Sequence, residues 1–175
     1  MEKRARLILK YGKEKSLYRR HPWVFSGAVQ RVEGKPAAGD LADVFTADGR
    51  YLATGHYQND SIILKVLRFG TPEIDAEFWR EKLSQALAFR ETLGLWKKKD
   101  TNVFRLIHSE GDGLSGLIAD YYNGILVLQS HSEGTMEIPC FRHSSVLSAT
   151  MLCKSSCRLY IPPSHRREKP RQRLL

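Results

Sequence analysis

The chain has 175 residues, 28 Lys and Arg against 19 Asp and Glu for a formal charge of +9, and 42% hydrophobic residues, enough to pack one ordinary domain or two small ones. No apolar run approaches the ~20 residues that span a bilayer and no export signal is visible, so no membrane partner is expected and the cytoplasm is the expected compartment. All three cysteines lie after position 138, which excludes a disulfide-built scaffold, and so does most of the charge: residues 139–175 carry +7 and residues 1–138 only +2. The excess points to a polyanionic partner, but the global charge overstates the case for the folded part.

In chain order, Leu7, Ile8 and Leu9 predict a first strand before Gly12. Residues 13–29 then place Lys13, Lys15, Arg19 and Arg20 directly ahead of His21, Pro22, Trp23 and Phe25, so a cationic loop runs into a segment expected to bury two large aromatics. Pro22 fixes its own φ and suits a first helical position, which predicts a short helix from there to about Gly27. The basic residues read either as a phosphate-gripping edge, with Arg able to contact phosphate bidentately, or as a solvated loop beside a core Trp.

Three strand-like runs follow at 41–45, 51–57 and 62–69, punctuated by Asp48-Gly49, Asn59-Asp60 and Gly70-Thr71-Pro72. Short strands and tight turns within about 70 residues predict a small barrel, and Asp48-Gly49 predicts a two-residue primed turn. Composition changes at Thr71-Pro72, a domain boundary. Asp75 caps a predicted helix reaching about Leu93, with Phe78, Trp79, Leu83, Ala86, Leu87, Arg90 and Leu93 on one stripe and Gly94 as the stop. Residues 97–100 read as a solvated charged connector. Strands are predicted at 103–107 and 117–122, the second joined through Asn123-Gly124 to 125–129 as a hairpin. From 139 onward the chain has no glycine, four of its seven prolines and no sustained period, so no structure is predicted there. That leaves 125–129 near an open sheet edge, a route to self-association.

Three motifs invite chemistry. Gly111, Gly113 and Gly116 match the dinucleotide pattern Gly-x-Gly-x-x-Gly, but the pattern needs a helix next, and 117–122 is too short for one before Asn123-Gly124. A glycine-rich turn between strands is the preferred reading. Cys140, Cys153 and Cys157 with His143 and His165 lack zinc-knuckle spacing, so no metal site is expected. His108, Glu110 and Asp112 suggest acid–base work, yet no nucleophile stands near them, and they read as surface polar residues of a turn. No catalytic residue is assigned.

Four blocks go further: residues 12–29, Gly-Lys-Glu-Lys-Ser-Leu-Tyr-Arg-Arg-His-Pro-Trp-Val-Phe-Ser-Gly-Ala-Val; residues 39–44; residues 51–57; and residues 105–122, Arg-Leu-Ile-His-Ser-Glu-Gly-Asp-Gly-Leu-Ser-Gly-Leu-Ile-Ala-Asp-Tyr-Tyr. With them, residues 7–134 resemble the N-terminal half of the bacterial class I S-adenosylmethionine-dependent ribosomal RNA large subunit methyltransferase I family, which makes 5-methylcytosine in 23S rRNA. The resemblance implies an RNA-binding PUA-type β pseudo-barrel at 4–70 and a central α/β domain at 71–138; with the irregular basic tail that composition sets apart at 139–175, the chain is expected to be α+β. In that family a third, Rossmann-like domain binds S-adenosylmethionine and carries the catalytic cysteine. None of its motifs can be placed here, so this chain alone is expected to hold no cofactor and to methylate nothing. The match is read as stopping near Met136, as a frameshift or truncation would make it.

The expected partner is RNA, and through the resemblance 23S rRNA. Lys13, Lys15, Arg19, Arg20 and His21 are the expected phosphate contacts, with Trp23 and Phe25 fixing the loop from below. Two rivals stand beside this: a standalone RNA-binding adaptor whose basic tail folds on its target, and a small enzyme built on the turn at His108, Glu110 and Asp112.

Overall fold

The computed structural model describes residues 4–95, 100–137 and 158–160. The first unit is one sheet of six strands, β1 (Ala5–Leu9), β2 (Trp23–Phe25), β3 (Val29–Glu33), β4 (Leu41–Phe45), β5 (Tyr51–Tyr57) and β6 (Ile62–Phe69), in the order β2-β6-β5-β4-β1-β3. All pairs are antiparallel except β1 with β4. Strands β2 and β3 hold opposite edges yet are joined by a single 3-10 turn, Ser26–Ala28. Three residues span only ~10 Å, so the sheet must curl until its edges approach. Backbone bonds from Lys10 to Ala28 at 2.9 Å and from Ser26 to Ser61 at 2.8 Å stitch the closure. Inside it, Leu7, Leu9, Val24, Val44 and Leu64 form the core, with Leu17 as a plug from outside the sheet. This is the small barrel the strand spacing predicts.

Two local expectations fail. The helix expected from Pro22 to Gly27 lies earlier, as the single-turn α1 (Lys15–Tyr18), and the residues after Pro22 form β2. Proline suits this place for another reason: it opens an edge strand, where its missing N–H costs nothing, and its carbonyl accepts from Val66 at 2.8 Å. The turn after β4 is longer than two residues. Gly49 alone is left-handed (φ 85°), its amide bonds to Thr46 at 3.0 Å, and Thr46 bonds to Arg50 at 2.9 Å. That is a type I turn closed by a glycine bulge.

The second unit packs α2 (Ala76–Thr92) on a sheet of β7 (Val103–His108), β8 (Leu117–Tyr122), β9 (Ile125–Ser130) and β10 (Arg158–Tyr160). Asp75 caps α2, accepting from the Phe78 amide at 2.8 Å, and Gly94 (φ 69°) ends it with the paired bonds Gly94 to Glu91 and Leu95 to Arg90. Phe78, Trp79, Leu83 and Ala86 bury their faces against Phe104, Leu106, Leu117, Leu126 and Leu128. Leu93 leaves the expected stripe, 55% exposed. Asn123 (φ 43°) and Gly124 (φ 89°) make the predicted primed turn between β8 and β9.

Strand β10 lies parallel to β9, pairing Arg158 with Ile125 and Tyr160 with Val127. The segment 139–175 is therefore not wholly without regular structure, and the edge expected to be open at 125–129 is covered over 125–127. The candidate metal ligands Cys140, His143, Cys153, Cys157 and His165, and the lysines at 97–99, lie outside the described residues.

The two units meet along β5 and β6. Lys65 Nζ donates to the His131 carbonyl at 2.5 Å, Gln58 Nε2 to Ser132 Oγ at 2.9 Å, and the His56 ring stacks on Trp79 at 6.3 Å and 17°. Gly134 closes the seam where no side chain fits: a Cβ there would stand 2.3 Å from His56 Cδ2 and 2.5 Å from the Gly39 carbonyl oxygen.

Candidate nucleic-acid interface

The turn α1 ends in a Schellman motif, with His21 N–H bonded to Ser16 at 3.0 Å and Arg20 N–H to Leu17 at 2.9 Å. The motif's left-handed position, usually glycine, is held by Arg20 at φ 61°. Leu17, buried in the barrel core, anchors the turn from beneath, so Lys13, Lys15, Arg19, Arg20 and His21 all stand exposed on a fixed corner. Arg20 lies over the Phe69 ring, 5.0 Å from its centroid. Among the described residues no ion pair involves Lys13, Lys15, Arg19 or Arg20. The five predicted residues are thus brought together, with four cations uncompensated.

The aromatics behave differently from the expectation. Val24, between them, enters the core; Trp23 is only half-buried and Phe25 is 48% exposed. Alternation in a strand explains this, because Trp23 and Phe25 share the face opposite Val24. His21 joins that face, its ring centroid 5.9 Å from Trp23 and 6.1 Å from Phe25, while Trp23 and Phe25 lie 6.4 Å apart.

Trp23 is tied to the second unit. Its Nε1 donates to Glu110 Oε1 at 3.0 Å, and Ser115 Oγ donates to the same oxygen at 2.8 Å. Burial alone would raise the Glu110 pKa, but hydrogen bonds from Ser109, Trp23 and Ser115 outweigh it and hold the carboxyl at about 2. Lys65, opposite Trp23 in the β2–β6 register, is close enough to Glu110 to feel its charge; burial lowers its ammonium pKa while Glu110 and Asp60 pull the other way.

The remaining residues of that turn are also structural. Asp112 meets Arg90 in a two-pronged ion pair at 2.5 and 2.8 Å, with side chains 9% and 7% exposed. Arg90 Nε donates to the Arg105 carbonyl at 3.0 Å, and Asp112 accepts from the His108 amide at 2.5 Å. Of the three residues expected to be surface polar groups, only His108 is exposed; Glu110 and Asp112 hold the turn to the barrel and to α2. The sequence reading assigns no structural role to Glu110, Ser115, Lys65 or the Arg90–Asp112 pair. A signal existed for the pair: Arg90 sits in the apolar stripe of α2, and a buried guanidinium requires a carboxylate.

The glycine-rich turn at 111–116, with Gly113 (φ 66°) and Gly116 (φ 85°) left-handed, leads into β8 and not into a helix, as its spacing predicts. No reaction step is assigned to the described residues.

A PUA-like domain model matches residues 7–69, the barrel. The chain is 40% identical over 158 residues to ribosomal RNA large subunit methyltransferase I of Serratia proteamaculans and 41% identical to that of Yersinia pseudotuberculosis, each match covering 89% of this chain and 38% of the relative. The resemblance carried by blocks 12–29 and 105–122 is borne out. The match is longer than residues 1–138, so it runs on past Met136 into the segment set apart as a tail. A Streptococcus mutans structure described as a candidate SAM-dependent methyltransferase shares the fold, with a TM-score of 0.65 at 13% identity over 82% of this chain and 36% of its own.

Proposed function

We propose that this chain, which spans 38% of the length of the ribosomal RNA large subunit methyltransferase I relatives it matches, is the RNA-binding part of such an enzyme. Ribosomal RNA of the large subunit is its target, the cytoplasm its compartment, and methylation of cytosine at C5 the reaction it serves. The observation that carries this is the corner at α1: Lys13, Lys15, Arg19 and Arg20, all exposed and unpaired within the described residues, on the PUA-like barrel. Exposed cations on a rigid turn can take up phosphate charge and release counterions, and an Arg on a fixed backbone loses less freedom on binding.

The test is a titration of the full chain with a large-subunit rRNA fragment across a series of salt concentrations. Replacing Arg19 and Arg20 by Ala should weaken binding and flatten the dependence of log K on log salt by roughly 0.7 to 0.9 per lost contact. An unchanged slope would remove the corner from the interface. Among the described residues no helix is long and apolar enough to cross a membrane.

A further inference from the structure

Building on the RNA-binding role above, we propose that the open face formed by His21, Trp23 and Phe25 is a stacking platform for unpaired nucleobases, so that the preferred ligand is single-stranded or looped RNA. Phe25 is 48% exposed on a three-residue edge strand whose only buried residue is Val24. Phe25 is not among the residues of the barrel core. Its two ring neighbours meet it at 42° and 84°, so among the described residues no parallel ring covers it. The platform is also held in place. Glu110 fixes the Trp23 indole through Nε1, and His21 Nδ1 lies 3.2 Å from the Trp23 amide.

Charge complementarity selects the occupant. The exposed cations of residues 13–20, in no ion pair among the described residues, run in the chain straight into this face, so a strand whose phosphates meet Lys15 and Arg19 carries its bases toward His21 and Phe25. Alternating cations and exposed aromatics are what a single strand needs: phosphate contacts for the backbone and π-faces for bases that have left their stack. Bases within a duplex keep their faces covered by one another and gain nothing from Phe25.

The experiment compares binding of the full chain to a short single-stranded RNA and to a blunt duplex of the same sequence. Phe25→Leu, which keeps an apolar side chain but removes the ring, should weaken single-strand binding about tenfold at an unchanged salt slope and leave duplex binding as it was. Phe25→Trp should bind the single strand as the parent does. If Phe25→Leu binds the single strand normally, or Phe25→Trp binds it as poorly as Phe25→Leu, the platform is refuted, and the phosphate corner stands as long as the double Arg variant still flattens the slope. If neither RNA binds the parent chain, the corner and the platform fall together.

Discussion

The indole Nε1 of Trp23 donates to Glu110 at 3.0 Å, a contact between residues 87 apart in sequence that fastens the edge strand of the barrel to the turn ahead of β8. The strand that presents the candidate RNA face is therefore positioned by the second unit. Trp23→Phe removes one donor from a half-buried carboxylate and should lower unfolding free energy at neutral pH by about 1–2 kcal/mol. The Glu110 pKa is depressed to about 2 from an ordinary 4.5, so its contribution is fully present above 4.5 and is lost as pH falls through the folded value. Denaturant unfolding of parent and variant should accordingly converge between about pH 4.5 and 2; a gap that stays constant would mean the indole stabilises by packing alone.

The Arg90–Asp112 pair joins α2 to the same turn from the other side. Asp112→Ala leaves a buried guanidinium without its counter-charge and the His108 amide without its acceptor, and should cost about 3–5 kcal/mol. Removing both charges as Arg90→Met with Asp112→Leu should cost clearly less than the two single changes added together, because no lone charge stays buried. Thermal unfolding of the four proteins measures the coupling; additive losses would show the pair to be energetically idle.

The elements legible in the sequence are those set by local chemistry: Asp75 and Gly94 bounding α2, Asn123-Gly124 turning the hairpin, alternation in β4. What was misread depended on a distant partner. Pro22 fits both a helix start and an edge-strand start, and only pairing of β2 with β6, some 40 residues later, decides between them. Asp48-Gly49 was read as two residues of turn because the bulge at Phe45 is a property of the pair β4–β5. Phe25 was expected inside because it is large and apolar, whereas strand alternation around a buried Val24 turns it out. At the site, the cations of residues 13–21 could be read directly as a cluster. Glu110 could not be recognised as their support, since nothing near it in sequence names Trp23 as its donor.

Arg20 occupies a left-handed position at φ 61° that glycine takes without strain. Arg20→Gly should relieve about 1 kcal/mol of backbone strain while giving up about 0.5 kcal/mol of cation–π contact with Phe69, leaving the protein as stable or slightly more so. Its affinity for RNA should nonetheless fall, with a salt slope reduced by about one contact. Measured together, stability held and binding lost would identify strain kept in place for a ligand. A variant that loses both would make Arg20 a structural residue.

His56 lies in the seam, 4% exposed, against Trp79 and beneath Gly134, and its Nδ1 has no hydrogen-bond partner among the described residues. Burial, aided by the nearby Lys65 charge, lowers its pKa from 6.5 to about 4, so the folded protein holds the ring neutral. An unfolded chain binds the proton more readily, which makes stability fully present above pH 6.5 and progressively lost down to about pH 4. The full shift corresponds to about 3 kcal/mol as an upper bound. Lys65 faces the ring from β6, and its donation to the His131 carbonyl holds its cation in the seam, opposing a second positive charge there. Urea unfolding between pH 7 and pH 4.5 should show this loss in the parent chain and a much smaller one in His56→Gln, whose side chain does not titrate. Equal losses in the two proteins would place the acid-sensitive group elsewhere.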